Sequence, residues 1–222
     1  MILEDYIRPS GENIKMERVM KLHKQMMRWE NGTVINGELI DESELSLDNP
    51  IWKSYRTQTL YRIRRDGQGS CWDFVNYQHS RFVEWKIPDE SYMFIVDLGY
   101  PGEIISHSFS IILINEQKYW FEASWKDEAG INPVASFLDV VAKLADHYDS
   151  RGNRSYVVYR YNPEGLDRYL TDEKFYTRVS SGELVLEKRR ESYHEKSTGI
   201  HHSFYRDGES LDPDWISERF RL

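Results

Sequence analysis

Two strand-like runs separated by only two residues leave this chain little conformational choice. Ser106-His107-Ser108-Phe109-Ser110-Ile111-Ile112-Leu113-Ile114 and Gln117-Lys118-Tyr119-Trp120-Phe121-Glu122-Ala123-Ser124-Trp125 flank Asn115-Glu116. β-Branched and aromatic residues fill both runs, and so short a connection predicts an antiparallel hairpin. If Asn115 and Glu116 form the turn, Ile114 faces Gln117 and every pair sums to 114 + 117 = 231. His107, Phe109, Ile111 and Leu113 then share one face. Ser124 falls opposite His107 and Glu122 opposite Phe109, which makes Glu122 a diagonal neighbour of His107. Diagonal pairs stand about 7–8 Å apart, within reach of a long carboxylate. A slip of one residue would turn Glu122 to the other face.

The only cysteine lies upstream, in Gly67-Gln68-Gly69-Ser70-Cys71-Trp72-Asp73-Phe74. The glycines permit a tight turn, and Trp72, Val75, Phe82 and Val83, with Tyr77 and Trp85 nearby, predict a helix ending near Trp85. A thiol in the first turn of a helix meets unpaired backbone N–H groups and the positive end of the dipole, both of which favour thiolate. A lone cysteine is equally a common core residue.

A single cysteine excludes an intrachain disulfide, and the opening Met-Ile-Leu-Glu-Asp-Tyr-Ile-Arg lacks the basic start and apolar run of a signal peptide. No window reaches the roughly 18 apolar residues of a membrane span. The expectation is a cytoplasmic protein. A net charge of -8 argues against nucleic acid as a partner. Locally the balance reverses: Lys53, Arg56, Arg62, Arg64 and Arg65 occur between residues 49 and 65 with no acid among them. This segment reads either as a positive field for an acidic substrate or for the thiolate, or as a solvated strand or loop.

Three segments organise the 222 residues. Residues 1–50 form an N-terminal extension: a helix over Glu12 to Glu30 with a Met-rich core face, an unremarkable His23, then a turn-rich loop with room for a small hairpin. Residues 51–162 form the core, adding a strand over Tyr92 to Leu98, a helix from Ser136 to Tyr148 opened by a Ser136/Asp139 capping box, and a strand over Tyr156 to Tyr161. Residues 163–222 read as a charged appendage with strands at 174–179 and 183–188. His201-His202 point to opposite faces of any strand, so a shared metal is not expected there.

Cys71, His107 and Glu122 thus follow one another as nucleophile, base and orienting carboxylate. This core resembles the transglutaminase-like superfamily, a papain-like cysteine fold: a cysteine preceded by small residues at a helix start, a histidine opening one strand, and an acid 15 residues later on the next. Gly69-Ser70-Cys71-Trp72 also resembles the papain cysteine motif, while the short cysteine-to-histidine spacing is similar to the transglutaminase-like branch. The resemblance covers residues 60 to 125. It departs at Glu122, where the family usually has Asp, and at Phe109, where Trp is common.

The resemblance implies an α+β fold with the nucleophile's helix packed on an antiparallel sheet, and acyl transfer on a peptide or glutamine amide without cofactor or metal. Hydrolysis is expected ahead of transfer to an amine. The backbone N–H of Cys71 and the side chain of Gln68 are the expected oxyanion donors, with Trp72 beside the substrate. The partner is then a peptide or protein bearing an amide, with neither nucleic acid nor membrane involved. Two other classes are weighed: a binding module on the same fold without turnover, and a zinc site using Cys71, His107 and His79 with a carboxylate, which the eight residues from Cys71 to His79, more than two helical turns, disfavour. Asp73, Asp97, Asp127 and Asn132 are alternative third members, Asn132 first among them.

Overall fold

The computed structural model describes residues 11–35, 38–40, 55–97, 104–149, 154–166, 170 and 172–188. Within these, the chain runs α1 (Gly11–Met26), β1 (Glu30–Asn31), β2 (Thr33–Ile35), β3 (Glu38–Ile40), α2 (Leu60–Asp66), β4 (Gln68–Gly69), α3 (Cys71–Trp85), β5 (Asp89–Asp97), β6 (Ile104–Ile114), β7 (Gln117–Glu122), β8 (Gly130–Val134), α4 (Phe137–Tyr148), β9 (Tyr156–Tyr161), α5 (Asp172–Ser180) and β10 (Glu183–Lys188). The fold is α+β. Its centre is a six-stranded antiparallel sheet in the order β10-β9-β5-β6-β7-β8.

The central hairpin has the expected register, from Ile114↔Gln117 to Ser110↔Phe121. Asn115 and Glu116 both have positive φ, 53° and 63°. Two such residues make the turn whose twist matches a two-residue hairpin. β5 is buried from Ser91 to Asp97 because β6 and β9 flank it and both sheet faces are covered. On one face, α3, α1 and α5 press Phe74, Val75, Val19, Met26, Phe175 and Val179 against the strands. On the other, Val140, Val141 and Leu144 of α4 meet Phe94, Phe109, Ile111 and Val158. Burying apolar surface on both sides of one sheet gives a three-layer core.

Several boundaries differ from expectation. α1 stops at Met26, and Glu30-Asn31 instead pair in parallel with Gln68-Gly69. Its methionines divide: Met26 is buried and Met20 exposed, and Met27 just beyond the helix is exposed as well. The small hairpin is present as β2 and β3, with Thr33 opposite Ile40. The cationic segment contains a helix, α2, capped by the Thr59 side chain at its start and by left-handed Gly67 at its end. A side chain at Gly67 would also strike the Trp29 ring at 2.8 Å.

Residues 174–179 are helical rather than extended: Phe175 and Val179 fall four apart and both are buried. β10 extends the main sheet beside β9. The expected appendage over 163–222 is therefore, in its described part, built into the core. His201, His202, Lys53 and the turn at 99–102 lie outside the described residues. Among those described, no helix is long and apolar enough to cross a membrane.

Candidate active site

The segment leading into α3 is fastened from several sides. Ser70 caps the helix, its side chain accepting the Asp73 amide, while Asp73 Oδ2 accepts the Ser70 amide at 3.1 Å. This is the reciprocal capping box, in which two orphan donors of the first turn are satisfied. Asp73 Oδ1 also accepts the backbone N–H of Gln58 at 2.8 Å, and the Tyr55 hydroxyl reaches both Ser70 Oγ and Asp73 Oδ2. Gln58 Nε2 donates to the Gln68 carbonyl at 2.8 Å. Burial pushes the Asp73 carboxyl up, against the pull of the Gln58 and Ser70 donors. A Cβ at Gly69 would come within 2.9 Å of Asp73 Cβ, so the loop needs glycine where it crosses the cap.

Cys71 occupies the first helical position. It is half-buried, whereas His107 and Glu122 are 5% and 2% exposed. The β6/β7 ladder ends at Ser110↔Phe121, while Glu122 stays paired with Gly130 of β8. In an unbroken ladder a side chain serves one face of the sheet. Where β7 has left β6, the His107 ring is in reach of both layers: its edge contacts Trp125, which packs in the cluster beneath α4, and it interacts with Cys71 at the start of α3.

Glu122 is held by every oxygen. Nε2 of His107 donates to Oε2 at 2.8 Å; the Ser124 amide, the Ser124 hydroxyl and the Trp125 amide donate to Oε1 at 2.7, 2.7 and 2.8 Å. Its backbone carbonyl accepts Nε2 of His23 at 2.9 Å, and the His23 ring stands edge-on to Phe121. Burial alone would raise this carboxyl, but His107 and the donors of Trp125 and Ser124 hold it below the usual carboxylate range. For His107, burial opposes protonation. The Glu122 charge and the hydrogen bonding and charge of Cys71 outweigh it and push the ring up to about 10. Glu122 engages Nε2, so Nδ1 is the nitrogen left for the thiol.

Cys71, His107 and Glu122 are therefore brought together. Gln68 is not: its carboxamide donates to Glu30 at 2.8 Å on the surface, held there by the β1/β4 pairing. Trp72 is likewise committed elsewhere. It stacks on Phe175 at 4.2 Å and stands edge-on to Tyr55 and Tyr176, inside the core. Asn132 donates to the Glu128 carbonyl, and Asp73 serves the cap. His79 Nδ1 binds Asp89 at 2.8 Å, away from Cys71.

Sequence reasoning missed His23, and it missed Ser124 and Trp125 as donors. The second miss had a signal: an acid followed by Ala-Ser at the end of a strand favours a side-chain-to-backbone turn over continued extension. Two open grooves lie elsewhere, the larger, of about 530 Å³, between Trp120, Asn132 and Lys143.

Fold and site together define an α+β protein with a half-buried thiol at a helix start and a buried imidazole–carboxylate pair against it. No protein-family model, no curated protein and no solved structure matches this chain.

Proposed function

We propose that this chain is a thiol-dependent acyl-transfer enzyme of transglutaminase-like type that hydrolyses a peptide or glutamine amide. The observation that carries the reading is the buried His107 ring bonded to the Glu122 carboxylate, with the half-buried thiol of Cys71 near enough to favour its charged form. A lone core cysteine would not require a buried, charged imidazole beside it.

In this mechanism the thiol proton resides on His107, and the sulfur of Cys71 attacks the amide carbon. The carbonyl π-electrons move to oxygen, and the oxyanion is met by the backbone N–H of Cys71, which at the first helical position has no intrahelical acceptor. His107 returns the proton to the leaving nitrogen as the C–N bond breaks, releasing ammonia or an amine and leaving a thioester. His107 then takes a proton from water, whose oxygen attacks the thioester, and collapse releases the acid and restores the thiol. An amine in place of water gives transamidation. Glu122 stays ionised throughout and fixes which ring nitrogen faces the sulfur. A papain-like arrangement, with the nucleophile's helix packed on an antiparallel sheet, accords with this reading.

One observation favours a second reading, a peptide- or protein-binding module without turnover: the groove between Trp120, Asn132 and Lys143 lies away from Cys71. A screen of peptide and glutamine substrates separates the two, with ammonia release, cleavage and amine incorporation followed together. Wild type turns over and Cys71→Ala does not if the enzyme reading holds. Full activity in Cys71→Ser would refute the thiol mechanism.

A further inference from the structure

The second open groove, of about 330 Å³, lies where α1 ends and α2 runs into the cysteine loop, and its charged and polar lining is Arg28, Glu30, Arg64, Arg65, Asp66 and Gln68. Its charges do not cancel. Arg65 grips Asp66 through Nε at 2.5 Å and Nη2 at 2.6 Å, and Glu30 accepts the Gln68 carboxamide. Asp66 is thus neutralised by Arg65, while Glu30 keeps its charge against a neutral carboxamide, leaving three guanidinium groups against two carboxylates. Arg28 and Arg64 make no ion pair among the described residues. Basic residues in the last turn of α2 complement its dipole, which accounts for Arg64 and Arg65. Arg28 belongs to a different segment, brought to the same groove by the β1/β4 pairing. In a chain of net charge -8, a groove with an excess of positive charge and two guanidinium groups that make no ion pair runs against the general balance.

We infer that this groove binds a carboxylate carried by the substrate chain, so that the preferred substrate is an acidic peptide. The inference rests on the acyl-transfer reading and names the substrate class of that site. Guanidinium groups present planar donor pairs that match carboxylate oxygens. Gln68, which lines the groove, is three residues from Cys71, a separation of at most about 10 Å along an extended chain. A peptide whose amide lies at Cys71 therefore has the length to bring a side chain about three residues away to the groove. A free oxyanion such as phosphate offers similar oxygens but gains nothing from this proximity.

The test uses full-length Cys71→Ala protein and two labelled peptides, Glu-Gly-Gly-Gln-Gly-Gly-Glu and Gln-Gly-Gly-Gln-Gly-Gly-Gln, with binding followed by fluorescence anisotropy. The acidic peptide should bind about fivefold to tenfold more tightly at low salt, and the preference should shrink near 0.3 M NaCl, where screening is within about 6 Å. Adding Arg28→Gln and Arg64→Gln should erase the preference while leaving the melting temperature unchanged, since both side chains are exposed. Equal affinity for the two peptides, or an acid preference that survives the arginine substitutions, overturns the inference. So does arginine-dependent binding of inorganic phosphate without any peptide preference. Wild-type turnover is read separately: an arginine-dependent acid preference without turnover supports the groove and defeats the acyl-transfer reading instead.

Discussion

α3 and α4 begin with the same local grammar and come to different ends. Each opens with serine at the cap and aspartate three residues on, and in each the reciprocal capping box is formed. In α4 the box is a surface device: Asp139 accepts the amides of Ala135 and Ser136, both at exposed bonds. In α3 the box is buried, Ser70 at 6% and Asp73 at 1% exposure, and it is enlarged by Tyr55 and Gln58. The first helical residue shows the consequence. Phe137 of α4 stacks on Tyr92 at 5.0 Å and serves packing, whereas Cys71 of α3 meets His107. Capping sets where a helix starts; the surrounding contacts decide how firmly that start is aimed.

Substitution at the first helical residue should separate the two helices most widely. Cys71→Ala should reduce turnover to background with the unfolding midpoint retained, while Phe137→Ala should keep turnover and lose about 1–2 kcal/mol, read by urea unfolding. Comparable activity loss in both would break the contrast. Within the α3 site, His107→Gln should slow turnover about a thousandfold and Glu122→Gln about tenfold to a hundredfold, since the amide keeps an acceptor but loses the charge. Steady-state rates in that order sharpen the assignment of base and orienting group; the reverse order would exchange their importance.

The third contrast lies in the caps. Asp73→Ala strands the Gln58 and Ser70 amides in the interior and should cost about 3 kcal/mol. Asp139→Ala at the solvated box should cost at most about 1 kcal/mol. Equal losses would mean that burial adds nothing to the α3 cap.

A fourth contrast is in the pH dependence of stability. The His107 ring is raised to about 10, so the stabilisation its protonated form supplies is complete below its ordinary value of 6.5 and is lost as pH rises toward 10. Glu122 is depressed, so its contribution holds above the ordinary 4.5 and is lost as pH falls through its lower native value. The stability advantage of wild type over His107→Gln should therefore be largest near pH 5–6 and shrink by pH 10.

Much of this was legible in the sequence wherever a short-range signal determined the outcome. A two-residue turn fixes one register, which holds from Ile114↔Gln117 to Ser110↔Phe121; the expected pairs of Glu122 with Phe109 and Ser124 with His107 lie beyond the end of the ladder, where Glu122 still reaches His107. The α4 cap and stripe and the β9 run were equally plain. The same Ser-x-x-Asp pattern stands at Ser70 and Asp73, on either side of the cysteine. Other elements depended on information a local pattern lacks. Phe175, Tyr176 and Val179 have strand propensity, yet packing against Trp72 and Tyr161 makes the segment helical. β8 contains Pro133, tolerated because this strand is at the sheet edge. The donors from Ser124, the support from His23 and the diversion of Gln68 to Glu30 are all matters of which residues meet in three dimensions.

The central claim is that Cys71 and His107 act as one unit. The most direct measurement is the rate of iodoacetamide alkylation of Cys71 from about pH 5 to pH 9 in wild type and in His107→Gln. The account predicts rapid alkylation of wild type near pH 6 and a loss of at least tenfold at that pH in His107→Gln. Superimposable profiles that rise only in alkaline solution would contradict it.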